Sequence, residues 1–169
     1  MDIILVMNPQ NSFFSPGGSV YMGEKAEILK TRLADFLSGF NKTKIFLREK
    51  HAEEDIFFMS DVTHSIANTE DFLICNELKK YANLVVDKTR YCALFNNNLE
   101  SVLKQKNVKS IGIVGVETHT SILFTAEELR NRNYEVIVIE PCSASRDGYL
   151  HGYAITLMKH CLGVRITDG

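Results

Sequence analysis

Short apolar runs alternate with longer segments of mixed polarity along this chain. The runs are rich in β-branched residues and are short enough for strands. They cover residues 3–7, 44–47, 84–86, 110–116, 134–139 and 164–167. The runs at 111–116 and 136–139 show no polar alternation, which is typical of parallel strands that are buried on both faces.

The segments between these runs carry apolar residues at helical spacing. The stripes are Leu29, Leu33, Phe36, Leu37 and Phe40; Leu99, Val102 and Leu103; Ile122, Leu123, Ala126 and Leu129; and Tyr153, Leu157 and Met158. Strands that alternate with helices predict an α/β fold, a three-layer sandwich around a mainly parallel sheet of about six strands.

Residues 48–70 fit neither period and are rich in His, Asp and Glu. A polar loop of that length within a compact domain is usually functional. Ligands of such folds bind beyond the carboxyl ends of the strands. The candidate segments are therefore 8–19, 48–64, 87–95, 115–121 and 140–146.

Composition narrows the classes of function. The chain has 169 residues, 45% hydrophobic and 24% charged, which predicts one domain over residues 1–169. A formal net charge of −2 gives no basis for binding nucleic acid, and no run reaches the roughly 20 apolar residues of a membrane span. Four cysteines without a CxxC pair predict reduced thiols. We expect a cytoplasmic protein with a small-molecule ligand.

Three motifs follow the predicted strands in a specific order. The first strand runs into NPQNSF at 8–13, GGS follows at 17–19, and GVETHTS occupies 115–121. This pattern resembles the isochorismatase-like superfamily of cysteine hydrolases, nicotinamidases in particular, and the likeness extends over nearly the whole chain. The resemblance implies a Rossmann-like topology and hydrolysis of a small amide.

The resemblance also implies a catalytic Asp, Lys and Cys, and the matching positions here read Asn8, Lys88 and Ser121. An asparagine amide does not take up a proton as a carboxylate does, and a serine hydroxyl needs an adjacent base to attack a carbonyl. The acid chemistry of true isochorismatases also needs a carboxyl group at position 8. We therefore expect neither family mechanism to run in its usual form, and Ser121 has a plainer interpretation as a helix cap.

Lys88 is expected in the pocket, although a solvated loop lysine is the plainer alternative. Without a carboxylate at position 8, its pKa should fall unless Asp87, Glu117 or a ligand anion pairs with it. Such a pocket would favour anions.

By the same resemblance, Glu49, His51 and His64, with Asp55 as a further candidate, correspond to ligands of a divalent metal. Imidazole and carboxylate suit zinc, iron or manganese. The alternative is a polar loop with solvated histidines and no cofactor. His119 is expected at a helix start rather than at the metal.

The resemblance places Phe13, Val116, Glu117 and Cys92 around the substrate, with a cis peptide between Val116 and Glu117. For Cys92 two other interpretations stand beside this one, a small buried hydrophobic residue and a relocated nucleophile. For Phe13, packing in the core is an equally good interpretation. Relatives are commonly dimers or tetramers, so a homodimer or homotetramer is expected.

Two hypotheses of function remain. The first is a hydrolase of a small amide or related metabolite with a non-standard Asn/Lys/Ser triad, or with metal-bound water as the nucleophile. The second is a catalytically degenerate relative that binds a small anion or serves as an oligomerisation partner.

Overall fold

Six parallel strands form one sheet in the computed structural model, which describes residues 1–57 and 62–168. The strands are β1 (Ile3–Met7), β2 (Thr43–Glu49), β3 (Leu84–Lys88), β4 (Ser110–Val116), β5 (Glu135–Ala144) and β6 (Arg165–Thr167). All six predicted strands are present. β5 continues past the predicted end because Ser143 and Ala144 pair with Gly115 and Val116 of β4.

The strand order is β3-β2-β1-β4-β5-β6. The chain adds strands in one direction from β1 to β3 and then in the opposite direction from β4 to β6. The order therefore reverses between β1 and β4, and a crevice at the carboxyl ends of the strands is expected there. Gly115 lies at this seam with φ 109°, and a side chain there would collide with the backbone of Met7.

Helices flank the sheet. They are α1 (Asn11–Phe14), α2 (Glu24–Gly39), α3 (Asn76–Lys79), α4 (Leu99–Gln105), α5 (Leu123–Asn131) and α6 (Gly148–His160). A 3₁₀ turn covers Glu70–Phe72, and a π-helical turn covers Thr118–Ile122. The four helical stripes of the sequence fall on α2, α4, α5 and α6. α1 and α3 are four residues long, too short for a stripe to reveal them.

Two apolar cores cover the two faces of the sheet, because successive strand residues point to opposite sides. Leu5 and Leu47 face the core shared with α4, α5 and α6. Val6 and Phe46 face the core shared with α1, α2 and α3. The predicted three-layer arrangement is confirmed, and it brings the ends of all the parallel strands to one edge.

The predicted functional loop leaves β2 at this edge. His51 forms a parallel bridge with Ile66, so the described part of the loop is anchored beside the sheet. Residues 58–61 of the loop lie outside the described residues. Within the described chain, no helix is long and apolar enough to cross a membrane.

Candidate active site

Four polar side chains from distant parts of the chain meet at the carboxyl edge of the sheet. Asn8 follows β1, Glu49 ends β2, Lys88 ends β3, and Ser121 lies in the π-helical turn after β4. Each residue is at most 1% exposed. Burial of an amide, a carboxylate, an ammonium and a hydroxyl is favourable only where they satisfy one another.

Ser121 Oγ is the centre of this group. Asn8 Nδ2 donates to it at 3.0 Å, and Lys88 Nζ donates to it at 3.1 Å. Ser121 in turn donates to Glu49 Oε1 at 3.2 Å. A hydroxyl has one proton to donate and two lone pairs, so its bonding capacity is filled and its proton points toward Glu49.

Lys88 has a carboxylate partner. Its Nζ lies 2.8 Å from Glu49 Oε1 and also donates to the carbonyl oxygen of Arg90 at 3.1 Å. Together with Ser121, these contacts use all three N–H bonds of the ammonium. Asp87 points to the other face of the sheet and pairs with Arg48 at 2.8 Å.

The carboxylate that pairs with Lys88 is thus neither of the two that the sequence suggested, since Asp87 pairs with Arg48 and Glu117 pairs with Arg146. The reason is strand register, which places Glu49 opposite Lys88 on neighbouring strands. The side chain of Glu49 neutralises the ammonium, so the inferred preference for anions loses its basis.

Charge pairing determines the ionisation of this group. Burial by itself would raise the pKa of Glu49, but Lys88 and His64 outweigh burial and hold that pKa well below its ordinary value. Burial lowers the pKa of Lys88, and the charge of Glu49 opposes this. Glu49 is accordingly a carboxylate at neutral pH and is able to accept hydrogen bonds.

Gln10 fixes the backbone of Glu49. Its Nε2 donates to the Glu49 carbonyl oxygen at 2.8 Å, and its Oε1 accepts from the Glu49 N–H at 2.7 Å. Its Nε2 also donates to the carbonyl oxygen of Phe72 at 3.0 Å. Gln10 is fully buried. It is a positioning residue that the sequence offered only as part of the NPQNSF motif.

Ser121 does not cap α5. That helix begins at Leu123, its N-cap is Ile122, and no side chain bonds to its first turn. The capping interpretation is wrong because the hydroxyl is directed to Asn8, Lys88 and Glu49. His119 lies in the π-helical turn, as predicted, and its Nδ1 is 3.0 Å from Ser145 Oγ.

Glu49 also belongs to a potential metal site. Ligand atoms of Glu49, His51 and His64 lie within 4.8 Å of one another, and all three residues are buried. His64 Nδ1 lies 2.7 Å from the carbonyl oxygen of Val62, an arrangement that commonly orients a metal-binding imidazole, and its Nε2 lies 3.0 Å from Glu49 Oε2. Burial lowers the pKa of His51 to about 4, so its ring is neutral at neutral pH, as a ligand must be.

The donor set therefore fits a divalent metal such as zinc, iron or manganese. Asp55 is not part of this group in the described structure. Its carboxylate lies 2.9 Å from Arg90 and 3.9 Å from His51 Nδ1.

Aromatic rings surround the histidines. Phe13 packs edge-on to His64 with ring centroids 5.3 Å apart, and Phe57 stacks on His51 at 4.9 Å. Phe57 also lines an adjacent cavity of about 520 Å³. The other described residues that line it are Arg90, Tyr91, Cys92, Leu94, Phe95, Asn96, Phe124, Glu127, Glu128 and Arg132.

Comparison with known protein families gives a match over nearly the whole chain. The model of the isochorismatase domain matches residues 2–168. The chain belongs to the isochorismatase family.

Curated family relatives are distant. An uncharacterised isochorismatase family protein, PncA of Bacillus subtilis, is 21% identical over 98% of each chain. The ureidoacrylate amidohydrolase RutB of Agrobacterium fabrum is 29% identical over 43% of this chain and 32% of its own length.

Solved structures of family members share the fold. The nicotinamidase PncA of Bacillus subtilis matches with a TM-score of 0.88 at 22% identity, covering 99% of this chain and 100% of that one. The pyrazinamidase of Pyrococcus horikoshii, solved in complex with zinc, matches with a TM-score of 0.87 at 21% identity over 100% of each chain.

The remaining residues suggested by the family resemblance follow two strands, with Val116 and Glu117 at the end of β4 and Cys92 after β3. Val116 is buried, and the peptide bond between Val116 and Glu117 is cis. The Glu117 carboxylate forms a two-pronged ion pair with Arg146, with N–O distances of 2.9 and 3.1 Å. Cys92 lines the 520 Å³ cavity, and burial raises the pKa of its thiol, which disfavours the thiolate that a nucleophile needs.

The predicted Asn8, Lys88 and Ser121 thus come together, and Glu49 joins them as well as the histidines. Sequence reasoning assigned Glu49 to the metal alone. The position of Glu49 at the end of β2 could have indicated its contact with Lys88 and Ser121, because the ends of neighbouring parallel strands share one edge of the sheet. The carbonyl group of Arg90 carried no signal, since any residue supplies one.

Proposed function

We propose that this isochorismatase-family protein hydrolyses a small amide or a related acyl metabolite, with Ser121 as the nucleophile. One observation carries the proposal, the contact of the buried Ser121 Oγ with both the Lys88 ammonium and the Glu49 carboxylate. A serine attacks a carbonyl only with a base beside it, and a carboxylate in that place supports this chemistry.

Each polar group has a role in this reaction. Lys88 and Asn8 donate to the oxygen of Ser121 and steady the negative charge that develops as its proton leaves. The Asn8 Oδ1 is buried and accepts no hydrogen bond from any described residue. A substrate amide that donates an N–H would fill this position.

The cavity beside the site supports a small, flat substrate. Its volume of about 520 Å³ lies in the usual range for small-molecule sites. Rings of Phe57 and Tyr91 line it and pack edge to face at 4.5 Å. The names of the nicotinamidase and pyrazinamidase relatives favour heteroaromatic amides within this class.

A divalent metal would be held by Glu49, His51 and His64. When bound there, it supplies a Lewis-acidic position for a ring nitrogen of the substrate. The zinc complex of the Pyrococcus horikoshii relative supports this assignment.

Ammonia release from nicotinamide, pyrazinamide and an aliphatic amide tests the proposal, with and without added zinc or manganese. We expect turnover by the native protein and a loss of at least about 100-fold in Ser121→Ala. Ser101→Ala, an exposed serine on α4, is the matched control and should keep full activity. Turnover that survives Ser121→Ala would point to another nucleophile, such as metal-bound water.

The alternative of a degenerate relative has its own signature. Turnover that appears only in the double variant Asn8→Asp, Ser121→Cys would favour it over the proposed hydrolase. For the metal, we expect elemental analysis of protein purified without chelator to find close to one equivalent, which His51→Ala loses.

A further inference from the structure

We infer that Glu49 is the general base for Ser121, so that the catalytic carboxylate of this site comes from β2. The inference deepens the proposed function and rests on it. It assigns to Glu49 a role separate from any metal that the histidines hold.

The geometry around Ser121 selects Glu49. Among the described residues, its carboxylate is the one within hydrogen-bonding distance of Ser121 Oγ, at 3.2 Å. Asn8 and Lys88 approach the same oxygen through N–H donors. Because both lone pairs of the hydroxyl are occupied by donors, its proton has Glu49 Oε1 as its acceptor.

The uncharged side chain of Asn8 is compatible with a carboxylate at Glu49. Both side chains touch the same hydroxyl oxygen, so a carboxylate at each position would set two buried anions against the single ammonium of Lys88. Like charges held this close disfavour ionisation of one of them. An amide at position 8 leaves one anion and one cation around Ser121.

The two oxygens of Glu49 divide its contacts. Oε1 accepts from Lys88 and Ser121, whereas Oε2 faces His64 at 3.0 Å. The contacts to Ser121 and Lys88 are thus on one oxygen of Glu49, and the contact to the potential metal-binding histidine is on the other. Lys88 is not the base, because its three N–H bonds are all donated and no lone pair faces Ser121.

The reaction balances with these groups. The proton of Ser121 passes to Glu49 Oε1 while Oγ bonds to the amide carbon. The C–N bond then breaks, and the leaving nitrogen takes the proton from Glu49 and departs as ammonia. Water gives a proton to Glu49, its oxygen bonds to the acyl carbon, and the ester bond to Ser121 breaks. Ser121 recovers the proton from Glu49, and the net change is amide plus water to acid plus ammonia.

A fluorophosphonate probe tests the inference without knowledge of the substrate. It forms a covalent bond to an activated serine, with loss of fluoride, and intact mass measures the rate. Ser121→Ala identifies the labelled residue. Asp87→Asn, which removes a carboxylate one position before Lys88 on the opposite face, is the matched control and should be labelled at the native rate.

We expect Glu49→Gln to lower the labelling rate at least 100-fold, whereas His51→Gln, which removes a metal ligand but leaves the Glu49 carboxylate in place, should lower it much less. Asn8→Asp in the Glu49→Gln background returns a carboxylate to within reach of Ser121 and should restore at least tenfold. This double variant also keeps one anion for Lys88, so it remains a folded test if Glu49→Gln alone fails to fold. Circular dichroism checks the fold of each variant.

Four results would overturn the inference. The first is a native protein that is not labelled at Ser121, and the second is Glu49→Gln labelled at the native rate. The third is a folded double variant whose labelling rate does not recover. The fourth is a His51→Gln variant that loses its metal and shows the same loss of labelling rate as Glu49→Gln. The last result would mean that Glu49 acts through the metal. Labelling that follows the expected pattern in a protein that hydrolyses none of the amides would retain Glu49 as the base and reject the proposed substrate class.

Discussion

Two ion pairs occupy neighbouring positions on β2 and β3, and they differ mainly in their access to water. Glu49 pairs with Lys88 on the face of α4, α5 and α6, whereas Arg48 pairs with Asp87 on the opposite face. Both have N–O distances of 2.8 Å. The inner side chains are at most 2% exposed, and the outer ones are 24% and 32% exposed.

The comparison shows what burial adds to the same chemistry. An exposed pair is screened by water and salt and contributes little to stability. A buried pair must replace the hydration of both ions, so each partner becomes costly when the other is removed. The inner pair also has a third partner, Ser121, whose hydroxyl proton is directed to Glu49. The third partner of the outer pair is instead Lys50, whose Nζ lies 3.8 Å from Asp87, and we assign the outer pair no chemical role.

The largest expected effect comes from removing the inner cation. Lys88→Met leaves the Glu49 carboxylate buried without its ammonium and should lower the free energy of unfolding by about 3–5 kcal/mol. Urea denaturation followed by circular dichroism measures this. A loss below about 1 kcal/mol would show that the inner pair behaves like a surface pair.

A double variant measures the interaction energy between Glu49 and Lys88 separately from the effect of each side chain alone. Glu49→Gln combined with Lys88→Met removes both charges, so it should be about 1–3 kcal/mol more stable than Lys88→Met alone. Urea denaturation of the two single variants and the double variant gives the coupling energy. Simple additivity of the two single losses would contradict the strong coupling inferred for the inner pair.

Acid should weaken the inner pair in a defined direction. The pKa of Glu49 is lower in the folded protein than in the unfolded chain, because Lys88 and His64 outweigh burial, so the unfolded chain takes up this proton first as the pH falls. Its contribution is complete above the unfolded-state pKa of about 4.3 and is lost below it, by at most about 1.4 kcal/mol per pH unit. Unfolding free energies between pH 3 and 6 should therefore fall less steeply in Glu49→Gln, and equal slopes would reject the assignment.

The smallest effect is expected for the outer pair. Asp87→Asn should cost about 0.2–1 kcal/mol, and the difference from the native protein should shrink in 1 M salt. Urea denaturation at low and high salt measures both quantities. A loss as large as that of Lys88→Met would remove the distinction between the two faces.

The sequence predicts most of the fold because the signals are local. Apolar runs of strand length lie on all six strands, and the stripes of α2, α4, α5 and α6 follow helical spacing over several turns. α1 and α3 escape prediction because four residues complete only one turn. Their formation depends on packing against the rest of the chain, where Phe13 and Leu78 are buried.

The sequence predicts the site residues that belong to recognisable motifs, but it does not predict which of them pair with one another. Motif order places Asn8, Lys88 and Ser121 at one edge of the sheet, and they do meet there. The partnership of Glu49 with Lys88 depends on the register between β2 and β3. Register follows from the packing of both strands, so sequence reasoning predicted an excess positive charge at Lys88, where the structure has a neutral ion pair.

The hydrogen bonds of Gln10 couple the position of Asn8 to the position of Glu49. Asn8 bonds to Ser121, and two residues later the side chain of Gln10 bonds to both the N–H and the carbonyl oxygen of Glu49. A displacement of residues 8–10 would therefore move the Asn8 amide and the Glu49 carboxylate together relative to Ser121. Substitutions in residues 72–75, which bond to the Pro9 backbone and the Gln10 side chain, should therefore alter both contacts at once.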